Sequence, residues 1–246
     1  MKINIVTERS PGWVLRNISE SLQKHLSGSY ITDYMPDGNG DVNLYINYAL
    51  LKKKTCKIDV GWFTHRENDS FDSIANMADY CIAMCDKTAS MLPPNKTIVI
   101  QPGVDPQFIK TKIVVGCCGK HQQSGRKQFD LIEELRCISG IEIIFTNQKY
   151  AWSDMPSFYE KINYLLILST NEGGPMPALE AIAMGKPIIA PNVGWCWDYP
   201  VIKYNSIEQL KKMLALLVTS VDSWKISADK TYNVLEQIYG GRILRT

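Results

Sequence analysis

Ser169-Thr-Asn-Glu-Gly-Gly-Pro-Met-Pro-Ala-Leu-Glu180, followed by Ala181-Ile-Ala-Met-Gly-Lys-Pro-Ile-Ile-Ala190, decides how the rest of this chain is read. The apolar run Tyr164 to Leu168 just before it has the length and composition of a buried strand. Gly173, Gly174 and Pro175 break that strand, and Met176 to Met184 has helical spacing, with Leu179, Ile182 and Ala183 as its core stripe. Gly185-Lys186-Pro187 then turns the chain into a next strand, Pro187 to Ala190. A helix that opens after glycines presents unpaired backbone N–H groups and the positive end of its dipole, which suits a diphosphate. Glu172 lies before that helix and Glu180 in its early turns, placed to reach hydroxyls on either side of the anion. A carboxylate does not favour phosphate, so the pair fits a ligand that carries hydroxyls as well as phosphates, as nucleotide sugars do. Two glutamates around a helix start also serve as simple partners of its dipole.

Short apolar runs alternate with helical patterns on both sides of this stretch, which predicts an α/β protein with parallel sheets. In the first half the expected strands are 3–6, 42–46, 58–63, 80–84 and 97–100, with helices near 14–26, 48–53, 71–79 and 87–92. In the second half strands are expected at 112–116, 141–145, 164–168, 187–190 and 201–204, and helices near 128–139, 155–162, 176–184, 206–218 and 223–239. Two series of five strands predict two Rossmann-like domains, divided here as 1–105 and 106–246 with a hinge around 102–112. The last helix, carrying Trp224 and Tyr232, is a candidate to pack back across that hinge.

Bulk properties narrow the classes. The chain has 246 residues, 45% of them apolar, and a net charge of +2, too small to argue for nucleic acid by itself. No run approaches the roughly 18 apolar residues of a membrane span, and Met1 to Glu8 lacks the apolar stretch of a secretion signal. Seven cysteines without a Cys-x-x-Cys pair read as reduced thiols of a cytoplasmic protein. Three histidines without clustered spacing argue against structural zinc.

Other segments carry candidate chemistry. Val115-Gly-Cys-Cys-Gly-Lys-His-Gln-Gln-Ser-Gly-Arg-Lys-Gln-Phe-Asp130 follows a strand with Lys120, Arg126 and Lys127 on a glycine-containing loop. Cations there stabilise charge that develops on a departing phosphate; the plainer reading is a solvated basic loop. Asp59-Val-Gly-Trp-Phe-Thr-His-Arg-Glu67 bunches polar residues after an apolar run, at a strand end where open α/β sheets place ligands. His65 is the first candidate there and Glu67 the second, against a purely structural histidine. Trp195-Cys-Trp-Asp-Tyr199 lines a pocket or, as we favour, forms core and rim. Lys52-Lys-Lys54 reads as a solvated helix end. No Gly-x-Gly-x-x-Gly follows the first strand, which disfavours a dehydrogenase.

The segment from Glu172 to Pro187, with Glu172 and Glu180 in a Glu-Gly-Gly-Pro…Leu-Glu-Ala-Ile-Ala-Met-Gly-Lys-Pro setting, resembles the signature of family 4 glycosyltransferases of the GT-B fold. The resemblance is dense over about residues 97 to 190. It implies two Rossmann-like domains facing across a cleft, 1–105 as a shortened acceptor domain and 106–246 as the nucleotide-sugar-binding domain. It implies a retaining enzyme with a nucleotide diphosphate sugar as donor and no obligatory metal, and the chain has no Asp-x-Asp pair. Gln101-Pro-Gly-Val-Asp-Pro106 is similar to the family's passage between domains, or is a simple turn. Gly119-Lys120 stands where the family has Gly-Arg, and Lys127 with Asp130 where it has Lys-Gly-x-Asp, Gln128 replacing the glycine. By this resemblance Glu180 holds the ribose, Glu172 contacts the transferred sugar, and Lys127, Arg126 and Lys120 meet the leaving phosphate. Gly173, Gly174, Pro175, Met176 and Pro177 form the stretch around sugar hydroxyls and phosphate, Gly119 belongs to the basic turn, and Gly12 approaches the donor phosphates or sits in a plain βα turn. His65 contacts sugar or acceptor. The acceptor is expected to be a glycan or glycoconjugate. A hydroxylated base in DNA, a non-catalytic sugar-nucleotide-binding subunit and a sugar-nucleotide epimerase are the rivals.

Overall fold

The structure, a computed structural model, describes residues 1–10, 13–55, 58–66, 69–120, 126–147, 149–219 and 221–241. It divides into two compact units, Met1–Ile109 with Val221–Thr246, and Lys110–Ser220.

The first unit holds strands β1 (Ile3–Thr7), β2 (Ser29–Asp33), β3 (Val42–Tyr45), β4 (Ile58–Phe63), β5 (Tyr80–Ala83) and β6 (Thr97–Val99). Among the described residues they form one parallel sheet in the order β2-β1-β3-β4-β5-β6. Helices α1 (Val14–His25), α2 (Ser70–Met77) and α3 (Asp86–Ala89) connect them. Helix α1 forms because Leu15, Ile18, Ser19 and Leu22 recur on one buried stripe, while Lys24 and His25 suit the negative end of its dipole. Strand β2 was not among the expected strands. Ser29-Tyr-Ile-Thr-Asp33 has only two apolar residues and lies half-exposed at the sheet edge, so pairing with β1 rather than hydrophobicity makes it a strand. The helix expected at 48–53 is a single 3₁₀ turn, Tyr48–Leu50.

Asp59 lies at the start of β4 rather than at its ligand-bearing end, and is fully buried. A polar ladder runs through it across four strands. Thr32 Oγ1 donates to Asn4 Oδ1 at 3.0 Å, Asn4 Nδ2 to Asn43 Oδ1 at 3.3 Å, and Asn43 Nδ2 to Asp59 Oδ1 at 2.9 Å. The Thr55 amide donates to Asp59 Oδ2 at 2.9 Å. Buried polar side chains persist only when bonded in this way.

The second unit holds β7 (Ile113–Cys117), β8 (Ile141–Phe145), β9 (Tyr164–Leu166), β10 (Ile188–Ala190) and β11 (Ile202–Lys203), joined by α4 (Leu131–Arg136), α5 (Met155–Lys161), α6 (Met176–Ala183) and α7 (Ile207–Thr219). Its parallel order, β8-β7-β9-β10-β11, repeats that of the first five strands of the other sheet. Runs such as Ile113-Val-Val-Gly-Cys117 are apolar on both faces because helices cover both. Both units are therefore doubly wound Rossmann-like domains, each with a switch point beside its first strand, between β1 and β3 and between β7 and β9.

The domain expected at 106–246 differs from the second unit in its last helix. α8 (Trp224–Tyr239) buries Trp224, Ser227, Ala228, Thr231, Leu235 and Ile238 and packs on α1 in the core of the first unit. Segment 101–104 anchors it. The Val104 amide donates to Asp222 O at 3.0 Å, and Ser227 Oγ to Gln101 O at 2.9 Å. Gly103 is required there, since a Cβ would lie 2.5 Å from the backbone of Trp224. Among the described residues no helix is long and apolar enough to cross a membrane.

Candidate functional site

The switch point of the second unit opens into a hollow of about 270 Å³ lined by Cys118, Lys127, Phe129, Ser169, Glu172 and Gly174 to Pro177, among others. It lies beyond the carboxyl ends of β7 and β9, where ligands of such sheets bind.

On the β7 side, Gly119 has φ +140°, and a Cβ there would stand 3.0 Å from Lys127 Nζ and 3.1 Å from the Phe129 ring. The glycine thus lets the lysine lie against the backbone. Phe129 is buried against Phe145, with ring centroids 4.4 Å apart, which fixes the segment that carries Lys127. Lys127 has no ion-pair partner among the described residues. Gln128 has φ +43°, a left-handed conformation that glycine adopts at less cost.

On the β9 side, Glu172 is held by two groups and is only 13% exposed. Ser169 Oγ donates to its Oε1 at 2.8 Å, and Arg126 Nη1 to its Oε2 at 2.9 Å. Arg126 Nη1 also donates to Asn171 O at 2.9 Å, and the Thr170 amide donates to Arg126 O at 2.9 Å. The basic turn and the carboxylate stretch are thereby bonded side by side. Arg126 is the clamp of Glu172, and Lys127 is the cation that lines the hollow.

Helix α6 begins with Pro175 as an N-cap without a side-chain bond, and Pro177 follows. The N–H groups of Gly173, Gly174 and Met176 make no hydrogen bond to a described residue. Two glycines set this backbone. A Cβ on Gly174 would lie 2.5 Å from the Trp195 ring, and one on Gly194, at φ +49°, would lie 2.9 Å from the carbonyl oxygens of Glu172 and Gly173. Trp195 and Gly194 therefore buttress the carboxylate stretch from behind, a role more specific than the core and rim expected of segment 195–199.

Glu180 lies just over one turn into α6, and its Oε2 accepts a hydrogen bond from Tyr159 OH at 2.6 Å. Tyr159 is buried, and burial, with Cys118 and the Glu180 bond, pushes its phenol far above the usual range. Burial likewise raises the Cys118 thiol to about 12. Both groups stay neutral at pH 7 and act as fixed donors or walls rather than bases. Nothing in the sequence flagged Tyr159, because its partner Glu180 is 21 residues away and only the sheet brings them together.

The remaining candidates lie elsewhere. Lys120 is exposed and does not line the hollow. Gly12 and Glu67 lie outside the described residues. In the first unit, His65 is exposed just beyond β4, and its Nδ1 lies 2.8 Å from Thr64 Oγ1. Glu8 and Asn47, not singled out from sequence, meet across the β1/β3 switch point, where Asn47 Nδ2 donates to Glu8 Oε1 at 2.6 Å.

Residues 108–215 match the family Glycosyl transferases group 1. No curated protein sequence matches the chain. Among solved structures the chain is similar to Anabaena Alr3699/HepE in complex with UDP, at 12% identity and TM-score 0.41 over 96% of this chain and 100% of that one. It is also similar to sucrose-phosphate synthase (tll1590) from Thermosynechococcus elongatus, at 11% identity and TM-score 0.39 over 98% and 100% of the two chains. The lipopolysaccharide outer core galactosyltransferase WaaB, in apo form, follows at 14% identity and TM-score 0.37 over 99% of each. The family match runs from the start of the second unit into α7, and so contains Lys127, Glu172 and Glu180 together.

Proposed function

We propose that this protein is a retaining, metal-independent glycosyltransferase that moves a sugar from a nucleotide diphosphate sugar to a hydroxyl acceptor, a glycan or glycoconjugate. The observation that carries the reading is one hollow lined by a lysine without an ion-pair partner among the described residues, a clamped glutamate and the uncapped start of a helix, within a segment matching Glycosyl transferases group 1. The diphosphate lies against Lys127 and the N–H groups of Gly173, Gly174 and Met176, which supply positive potential where the leaving oxygen gains charge. Glu172, held in place by Ser169 and Arg126, accepts from hydroxyls of the transferred sugar. Glu180 has its Oε1 left for the ribose hydroxyls while Tyr159 holds Oε2.

In the reaction the bond from the anomeric carbon to the phosphate oxygen breaks, and the acceptor oxygen bonds to that carbon on the same face. The acceptor proton passes to the departing phosphate oxygen. The site's cations and amides replace the metal that other sugar-transfer sites use.

Incubation with a panel of uridine, guanosine and adenosine diphosphate sugars, read by proton NMR of the anomeric signal, tests the reading. Glu180→Ala weakens nucleotide binding, and Lys127→Ala lowers turnover by roughly 10²–10³-fold with smaller loss of binding. Transfer or donor hydrolysis that is unchanged in both variants, or a product of inverted configuration, refutes it.

A further inference from the structure

Tyr159 is a wall shared by two hollows. Its hydroxyl oxygen lies 3.7 Å from Cys118 Sγ and 3.4 Å from Pro177 O, and both of those residues line the hollow at the β7/β9 switch point. The same hydroxyl donates to Glu180, and Tyr159 and Glu180 line a second hollow of about 220 Å³ with Trp152, Met155, Pro156, Ala183 and Met184. Apart from the Glu180 carboxylate and the tyrosine hydroxyl bonded to it, the described lining of this second hollow is apolar. Trp152 stands on a 3₁₀ turn between β8 and α5 and is 74% exposed.

Chemical features follow one another in a fixed order here: a flat aromatic face at Trp152, a hydroxyl-accepting carboxylate at Glu180, then unpaired amides and Lys127. A nucleoside diphosphate carries base, ribose and diphosphate in that same order. We propose that Trp152 is the stacking platform for the nucleobase of the donor, an assignment that rests on the donor class argued above. The ring is held by its face, since the described lining residues other than Glu180 present no free polar side chain to its edge. Trp152 therefore sets how tightly a nucleotide is held, not which base it carries. Base stacking on an aromatic side chain tolerates every base and changes affinity by roughly 5- to 150-fold on substitution by alanine.

Calorimetric titration of the unchanged protein, Trp152→Ala and Trp152→Phe with UDP, GDP and inorganic pyrophosphate tests this. Expected are roughly 5- to 150-fold weaker binding of both UDP and GDP to Trp152→Ala, affinity within a few-fold of the original in Trp152→Phe, and one pyrophosphate affinity throughout. Undiminished UDP and GDP binding by Trp152→Ala overturns the platform and leaves the donor class standing. So does a phenylalanine variant as weak as the alanine one, or an equal loss for pyrophosphate, either of which marks a structural role. An unchanged protein that binds neither UDP nor GDP overturns the donor class and the platform together.

Discussion

Gly194→Ala isolates the contact that shapes the carboxylate stretch, and Gly185→Ala is its control. Both glycines are left-handed, at φ +49° and φ +64°. An alanine in that region costs about 1–2 kcal/mol. At Gly185, just past the end of α6, a Cβ would meet nothing within 4 Å, so this backbone cost is the whole effect. At Gly194 the Cβ would lie 2.9 Å from both Glu172 O and Gly173 O, and backbone cannot swing aside as a side chain does. Overpacking of that kind adds about 1–3 kcal/mol, for a total of roughly 2–5 kcal/mol. At about 2–4 °C per kcal/mol for a chain of this size, Gly194→Ala loses roughly 5–15 °C in Tm and Gly185→Ala several degrees. The displaced atoms are those that carry the Gly173 and Gly174 amides and the Glu172 backbone. Calorimetric titration with UDP on folded protein at 15 °C therefore gives at least about tenfold weaker binding in Gly194→Ala, about 1.4 kcal/mol, and unchanged binding in Gly185→Ala. Equal destabilisation of the two variants, or undiminished affinity in Gly194→Ala, refutes the reasoning.

Other perturbations address separate elements. Gln128→Gly relieves the left-handed strain at φ +43° against glycine's larger unfolded-state entropy, so chemical denaturation should find it neutral to about 1 kcal/mol more stable, whereas a clear loss refutes the strain. Asp59→Ala leaves the Asn43 and Thr55 donors of the buried ladder without their shared acceptor, and a hydrogen bond to a charged group contributes about 1.5–3 kcal/mol. A denaturation midpoint lowered by less than about 1 kcal/mol equivalent in that variant contradicts the ladder. Thr88 hydrogen bonding lowers the exposed Cys85 thiol below its ordinary value, while burial raises Cys118 to about 12 and Cys117 further. A lowered thiol holds more thiolate at any pH beneath its pKa, so alkylation at pH 7 should mark Cys85 well before Cys118 and Cys117. Peptide mass mapping reads the order.

The second unit was legible in outline because its strands are continuous apolar runs and its helices keep an apolar stripe. Gly173-Gly174-Pro175 located the uncapped helix start, and the spacing from Glu172 to Glu180 placed the two carboxylates correctly on either side of it. What pairwise chemistry each makes was not legible. Arg126 faces Glu172, and Glu180 faces Tyr159, through contacts 46 and 21 residues apart along the chain that only the sheet order creates. Strand β2 escaped notice because an edge strand needs little hydrophobicity. The return of α8 across the hinge was expected from its apolar stripe, and only the boundary at 106–246 grouped it with the second unit. Asp59 illustrates a further limit. Its place before an apolar run is the same in sequence whether it begins a strand in a buried ladder or borders a ligand.

The return of α8 bears on how the polypeptide matures during synthesis. The second unit is an insertion into the first, entered after Ile109 and left at Val221, with Val104 and Asp222 hydrogen-bonded where the two passages meet. A nascent chain has thus completed Lys110–Ser220 before Trp224, Leu235 and Ile238 emerge to cover the stripe of α1. Until α8 follows, the side of α1 that it covers lacks its partner, so the first unit completes its packing only after the sequence of the second has been made.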